Sequence, residues 1–157
     1  MRVSFMSPIL SILAIGASIN ANAATPVSCP YTSKELKETF GIEFKEGQVG
    51  FESDFGTGKS LSCRYQSKDM TLMVKQTVMK NPSQTQGWDS ALAGKKMKLP
   101  NDSDNAQVQT DQGDNTNPNL HYARQSDIVE IRMMGIGKTN PAFEAIQKKI
   151  TNLRRLP

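Results

Sequence analysis

Two neighbouring stretches alternate between apolar and polar positions. Leu61, Cys63 and Tyr65 are interleaved with Ser62, Arg64 and Gln66, and Met70, Leu72, Val74 and Val78 continue the period after the turn residues Ser67-Lys68-Asp69. A period of two sends every second side chain to the same side of an extended chain, so 61–78 predicts a β-hairpin with one buried face. Upstream, Gly47, Gly50, Gly56 and Gly58 among Phe51 and Phe55 predict a strand and turns. Downstream, Leu120, Tyr122 and Arg124 begin another strand, and Val129, Ile131 and Met133 a third. Asp127 lies between these two, which predicts a second hairpin.

Helical spacing frames these strands. In Tyr31-Thr32-Ser33-Lys34-Glu35-Leu36, Thr32 is placed to cap the N–H of Glu35 while Glu35 reaches back, a capping box with Tyr31 and Leu36 at the staple positions. Phe40 lies one turn beyond Leu36, and Gly41 supplies the left-handed residue that ends a helix. Near the C-terminus, Asn140 and Pro141 mark a helix start. Phe143, Ile146, Ile150 and Leu153 then form one apolar stripe. Lys148, Lys149, Arg154 and Arg155 sit where the dipole favours cations, and read as solubilising and capping charges. Between the hairpins, Asn81-Pro82 breaks the second strand, and Trp88, Ala91 and Leu92 predict a short helix over 84–93. Residues 101–119 are rich in Asn, Asp, Gln and Gly, with only Ala106, Val108 and Thr110 hinting at a strand. Helices too few to alternate with the strands point to an α+β fold. The expected form is a single domain whose antiparallel sheet has the N- and C-terminal helices packed on one face.

The first residues change the picture by giving an address. Arg2 is followed by the apolar run 9–17, too short to span a bilayer, and Ala21-Asn22-Ala23 has the small-x-small pattern of a signal-peptidase site. Residues 1–23 are therefore expected to be a cleaved signal peptide and 24–157 the mature domain, periplasmic or secreted and without stable membrane insertion. Pro26-Val27-Ser28 ahead of Cys29 lacks the Leu-like residue of a lipid-attachment signal. The chain carries a formal charge of +4, and loss of Arg2 leaves +3. Its basic residues are dispersed except for Lys95-Lys96-Lys98 and the C-terminal group, without the dense aromatic-interleaved stripe of a nucleic-acid binder. Two cysteines in an exported chain, Cys29 and Cys63, are expected to form one disulfide.

The search for chemistry is largely negative. The stretch Phe55–Ser67, FGTGKSLSCRYQS, contains the Gly-Lys-Ser of a phosphate loop. That loop needs a glycine where Ser53 stands and a helix after Lys59-Ser60, whereas the alternation predicts a strand. His121 is the sole histidine, without the partners of a triad or a catalytic zinc site, and reads as a surface or half-buried strand residue. Of the carboxylates near the first helix, Glu35 already has its capping role and Glu38, Glu43 and Glu46 fit a solvated face, with no spacing that singles out an acid/base pair. Asp102, Asp104, Asp111 and Asp114 offer oxygen ligands of the calcium type, but the positions that an EF-hand needs as Gly and Glu are Gln107 and Gly113. No metal or cofactor is expected. Long polar loops on a rigid sheet are where partners dock, so these four aspartates are the first expected contact surface and Trp88 the second.

Taken together, Cys29-Pro-Tyr-Thr-Ser-Lys-Glu-Leu, the ending Phe40-Gly41, then Ser62-Cys63-Arg64-Tyr65 and the alternation from Met70 to Val78 resemble an actinobacterial lipoprotein family of unknown function. The chain departs from that family in lacking the lipid-attachment cysteine, and its second half shows no matching motif. The resemblance implies a Cys29–Cys63 bridge and a compact α+β domain, and it implies no activity. The expectation is a non-catalytic exported binding protein, an inhibitor or immunity protein with a toxin or envelope enzyme as its partner. A small-ligand or lipid carrier is the alternative, supported by eight methionines, several on predicted strands. A cryptic hydrolase is the third reading.

Overall fold

The computed structural model describes residues 28–92, 94–110 and 116–157; the expected signal peptide and its cleavage site lie outside these, as do 111–115. The first helix, α1, spans Ser33–Phe40. Strands β1 (Gln48–Phe55), β2 (Gly58–Gln66) and β3 (Thr71–Met79) follow as a meander. Two single-turn 3-10 helices, Pro82–Thr85 and Trp88–Ala91, stand in place of the one helix expected over 84–93. Then come β4 (Lys96–Lys98), β5 (Gln107–Gln109), β6 (Asn119–Arg124), β7 (Asp127–Met134) and the helix α2 (Phe143–Thr151). Among the described residues the strands make one antiparallel seven-stranded sheet in the order β1-β2-β3-β7-β6-β5-β4. Two meanders therefore meet at the β3–β7 pair, where Val74 lies opposite Ile131.

Both predicted hairpins form with the expected parity. Cys63 and Tyr65 pair with Val74 and Leu72, and Leu120 and Tyr122 pair with Ile131 and Val129. These side chains are buried on one face of the sheet, the core face. Leu36 and Phe40 of α1, Ile146 and Ile150 of α2, and Leu153 and Leu156 of the tail belong to the same buried cluster. Val78 departs from the expected pattern, lying near the end of β3 with 43% of its surface exposed.

Helix α1 keeps half of its expected capping box. Thr32 Oγ1 accepts from the Glu35 N–H at 3.1 Å, but the Glu35 carboxylate is held by Arg154 Nε at 2.8 Å instead of turning back. A charged guanidinium is the stronger donor, so the side chain goes to it. Gly41 closes the helix with φ 68°, its N–H donating to Lys37 O. At α2, Asn140 Oδ1 accepts from the Ala142 N–H and the helix begins at Phe143.

Of the basic C-terminal residues, Lys149, Arg154 and Arg155 act as internal ties, whereas Lys148 is exposed as expected of a solubilising charge. Lys149 Nζ donates to Phe40 O at 2.6 Å, Arg154 Nη2 to Pro30 O at 2.7 Å, and Arg155 to the Asp102 carboxylate. Buried tyrosine hydroxyls add three more: Tyr31 N–H donates to Tyr65 Oη, Tyr31 Oη to Arg154 O, and Leu156 N–H to Tyr122 Oη. Desolvation by burial pushes Tyr65 up to about 12, against the pull of that Tyr31 hydrogen bond, so its hydroxyl stays neutral.

Cys29 and Cys63 form a disulfide, with their Cα atoms 5.7 Å apart. The chain passes this bond closely at Gly47. A Cβ there would stand 2.5 Å from Tyr65 Cε1 and 2.6 Å from Cys29 Cβ. Gly47→Ala is expected to destabilise the fold by about 2 kcal/mol through overpacking against a ring and a covalent tie that cannot yield. A urea midpoint unchanged from the parent would contradict this.

Candidate functional site

The opposite side of the sheet, here the second face, is set by the same registers. One cross-strand row runs through all seven strands: Phe51, Ser62, Lys75, Glu130, His121, Gln107 and Lys98. A neighbouring row joins Gln48, Arg64, Met73, Arg132 and Asn119. Directly opposed residues in an antiparallel ladder share a face, so these side chains form one surface. Its cations are Arg64, Lys75, Arg132, Lys96 and Lys98, and the carboxylate set among them by the ladder is that of Glu130. Phe51 is 59% exposed and Met134 42%.

At the middle of this surface Ser62, Met73, Lys75, His121, Glu130, Arg132 and Met134 line an open cleft of about 260 Å³. Lys75 Nζ lies 3.1 Å from Glu130 Oε1, so these two charges largely neutralise each other. Arg132 Nη2 donates to Gln109 Oε1 at 2.9 Å, and Arg132 forms no ion pair among the described residues.

His121 was expected at the surface or half-buried, and the structure corrects this: it is 1% exposed. Its ring lies between two neighbouring strands, opposite Glu130 on β7 and Gln107 on β5. Gln107 is itself buried and donates from Nε2 to Asp89 Oδ2 at 3.1 Å, which fastens the 3-10 turn Trp88–Ala91 to this part of the sheet. Neither imidazole nitrogen has a hydrogen-bond partner, and among the described residues no other buried side-chain nitrogen or oxygen is left so. Burial pushes the imidazole pKa down to about 4, with Glu130 opposing and Arg132 assisting, so the ring is neutral at pH 7 and carries one N–H donor and one bare nitrogen.

The expected contact residues fall elsewhere. Trp88 is half-buried in its 3-10 turn. Asp102 and Asp104 are brought together and engaged by arginines. Arg124 binds Asp104 with two hydrogen bonds, at 2.9 and 2.8 Å, and Arg155 reaches both aspartates. The Arg155 guanidinium also stacks 5.0 Å above the Tyr122 ring. Burial raises the Asp102 carboxyl, but bonds from Arg155 and from the Ala106 and Asp104 N–H groups outweigh it and hold the group below its usual range. Asp111 and Asp114 lie outside the described residues. Trp88 is linked to the second face through its neighbour Asp89, whereas the Asp102–Asp104 pair is tied to Arg124 and the tail.

The Gly58-Lys59-Ser60 tripeptide opens strand β2, so no helix N-terminus follows it. No group of three or more potential His, Cys, Asp or Glu metal ligands occurs among the described residues, and no helix there is long and apolar enough to cross a membrane. The disulfide fits a compartment outside the reducing cytoplasm. No protein-family model, curated protein or solved structure matches the chain.

Proposed function

We propose that this is a non-catalytic exported binding protein, an inhibitor or immunity protein of the periplasm or the secreted fraction, and that its partner docks on the second face of the sheet. In this reading the N- and C-terminal helices are packed on the core face, which leaves the other face to act. The carrying observation is the make-up of that face: Phe51 and Met134 exposed beside Arg64, Lys75 and Arg132, with Glu130 as the opposing charge. Exposed apolar side chains interspersed with cations suit a protein with an acidic contact surface, such as a toxin or envelope enzyme whose cleft is lined by carboxylates. Arg64, Lys75 and Arg132 stand on β2, β3 and β7, each paired on both sides, and this rigid platform limits the ordering cost of association. The arginine-bound Asp102 and Asp104 carry no share of the contact in this reading.

The test is affinity capture from an envelope extract of the source organism, comparing the wild-type chain with Phe51→Glu and Arg64→Glu. Both positions are exposed, so the variants are expected to fold. The wild type should enrich an acidic protein at least tenfold over either variant, and moderate salt should weaken the capture. Equal capture by all three chains, or none by the wild type, would remove the second face from consideration.

A further inference from the structure

A buried imidazole with both nitrogens unpartnered is costly, because each polar atom gives up its water and receives nothing in return. The tyrosine hydroxyls of the core are all paired, so His121 stands out against the chain's own practice. It also lines the cleft, together with the Arg132 guanidinium, which makes no ion pair with any described carboxylate. Two groups that favour an oxygen ligand thus border one apolar-walled space.

We propose that the cleft is a binding site for a small organic acid. Its carboxylate would take a charge-assisted bond from Arg132 and the N–H of neutral His121, and its apolar body would lie between Met73 and Met134. Lys75 is largely neutralised by Glu130, which leaves Arg132 as the cation that selects an anion. A planar guanidinium suits a carboxylate better than an ammonium does. The thioethers are unbranched and polarisable, and adapt to apolar bodies of different shape. By comparison with a ~150 Å³ cavity that holds benzene, about 260 Å³ accommodates a ligand on the order of ten non-hydrogen atoms. The proposal stands apart from the docking of a protein partner, since a free acid in the cleft needs no second chain.

His121 is the sole histidine, so its ring resonances report the site without assignment ambiguity. The experiment is an NMR titration of the oxidised mature chain at pH 7 with hexanoate, and with hexanamide as the uncharged control. Hexanoate is expected to shift the ring signals saturably at millimolar concentrations. Hexanamide should bind at least tenfold more weakly, and Arg132→Gln should weaken hexanoate by a similar factor. Arg132→Lys, which keeps the charge and loses the planar fork, should bind hexanoate more weakly than the wild type and supplies the comparison if Arg132→Gln does not fold. Absence of a saturable shift, equal binding of the amide, or full binding by a folded Arg132 variant would each overturn the proposal.

Discussion

A chain with both Cys29 and Cys63 replaced by serine is expected to lose roughly 3–4 kcal/mol of stability, the loop-closure entropy restored to an unfolded chain freed of a 34-residue tie. That is a large part of the roughly 5–15 kcal/mol available to a domain of this size. The loss is concentrated at one place in the fold. Cys63 is fully buried at the middle of β2, opposite Val74, and its bond holds the segment that leads into α1 against the sheet. Tyr31 N–H donates to Tyr65 Oη two residues from each cysteine, so this hydrogen bond depends on the same anchoring. Urea unfolding followed by the fluorescence of Trp88 measures the effect, with the single variant Cys29→Ser and the reduced wild type as companions. All three altered chains should unfold at a clearly lower urea concentration than the oxidised parent. Midpoints within error of the parent would show that the bond constrains nothing that the core does not already hold.

The second large effect is a loss of stability in mild acid that traces to His121. Its imidazole titrates near 4 in the folded chain and near the usual 6.5 when unfolded. The unfolded chain therefore takes up the proton first as the pH falls. The stabilisation is complete above pH 6.5, declines between 6.5 and about 4, and falls no further below that. The gap corresponds to about 3 kcal/mol. The charged groups around the ring are Glu130, Lys75 and Arg132 on the sheet, and Asp89 on the adjoining turn. Asp89 and Asp102 are held below the usual carboxylate range, so the stability that they contribute is lost only in stronger acid. Asp127 is raised by burial and works in the opposite sense at the lower end of the window. The urea midpoint of the wild type should fall steadily from pH 7 to pH 4.5, whereas His121→Leu should be nearly flat over that range. A wild-type midpoint independent of pH there would mean that the imidazole is solvated or hydrogen-bonded in the folded state.

The candidate site was half legible. Its strands were expected from their alternation, and Leu120 and Tyr122 on the core face oblige His121 to point the other way. Its burial was not legible. That depends on Gln107 and Glu130, which arrive from two other strands, and on Asp89, which fastens a turn beside them. The polar composition of 101–119 suggested an exposed loop, yet Asp102 and Asp104 are bound by arginines at sequence separations of 53 and 20. The same distance effect hid the role of Arg154, whose partner Glu35 lies 119 residues away.

What the amino-acid order determined by itself was local: the two hairpins, the start of α1 at Thr32 and its end at Gly41, and the apolar stripe of α2. Each rests on forces between residues a few positions apart, namely the parity of an extended chain, the orphaned N–H groups at a helix start and the backbone freedom of glycine. Only the tertiary structure decided that β3 pairs with β7, that the basic tail clasps the first helix, and that a neutral imidazole, an arginine and two methionines share one cleft. Those outcomes follow from burial and from pairing between remote segments, where a residue's neighbours are set by the register of the whole sheet and no short window of sequence contains them.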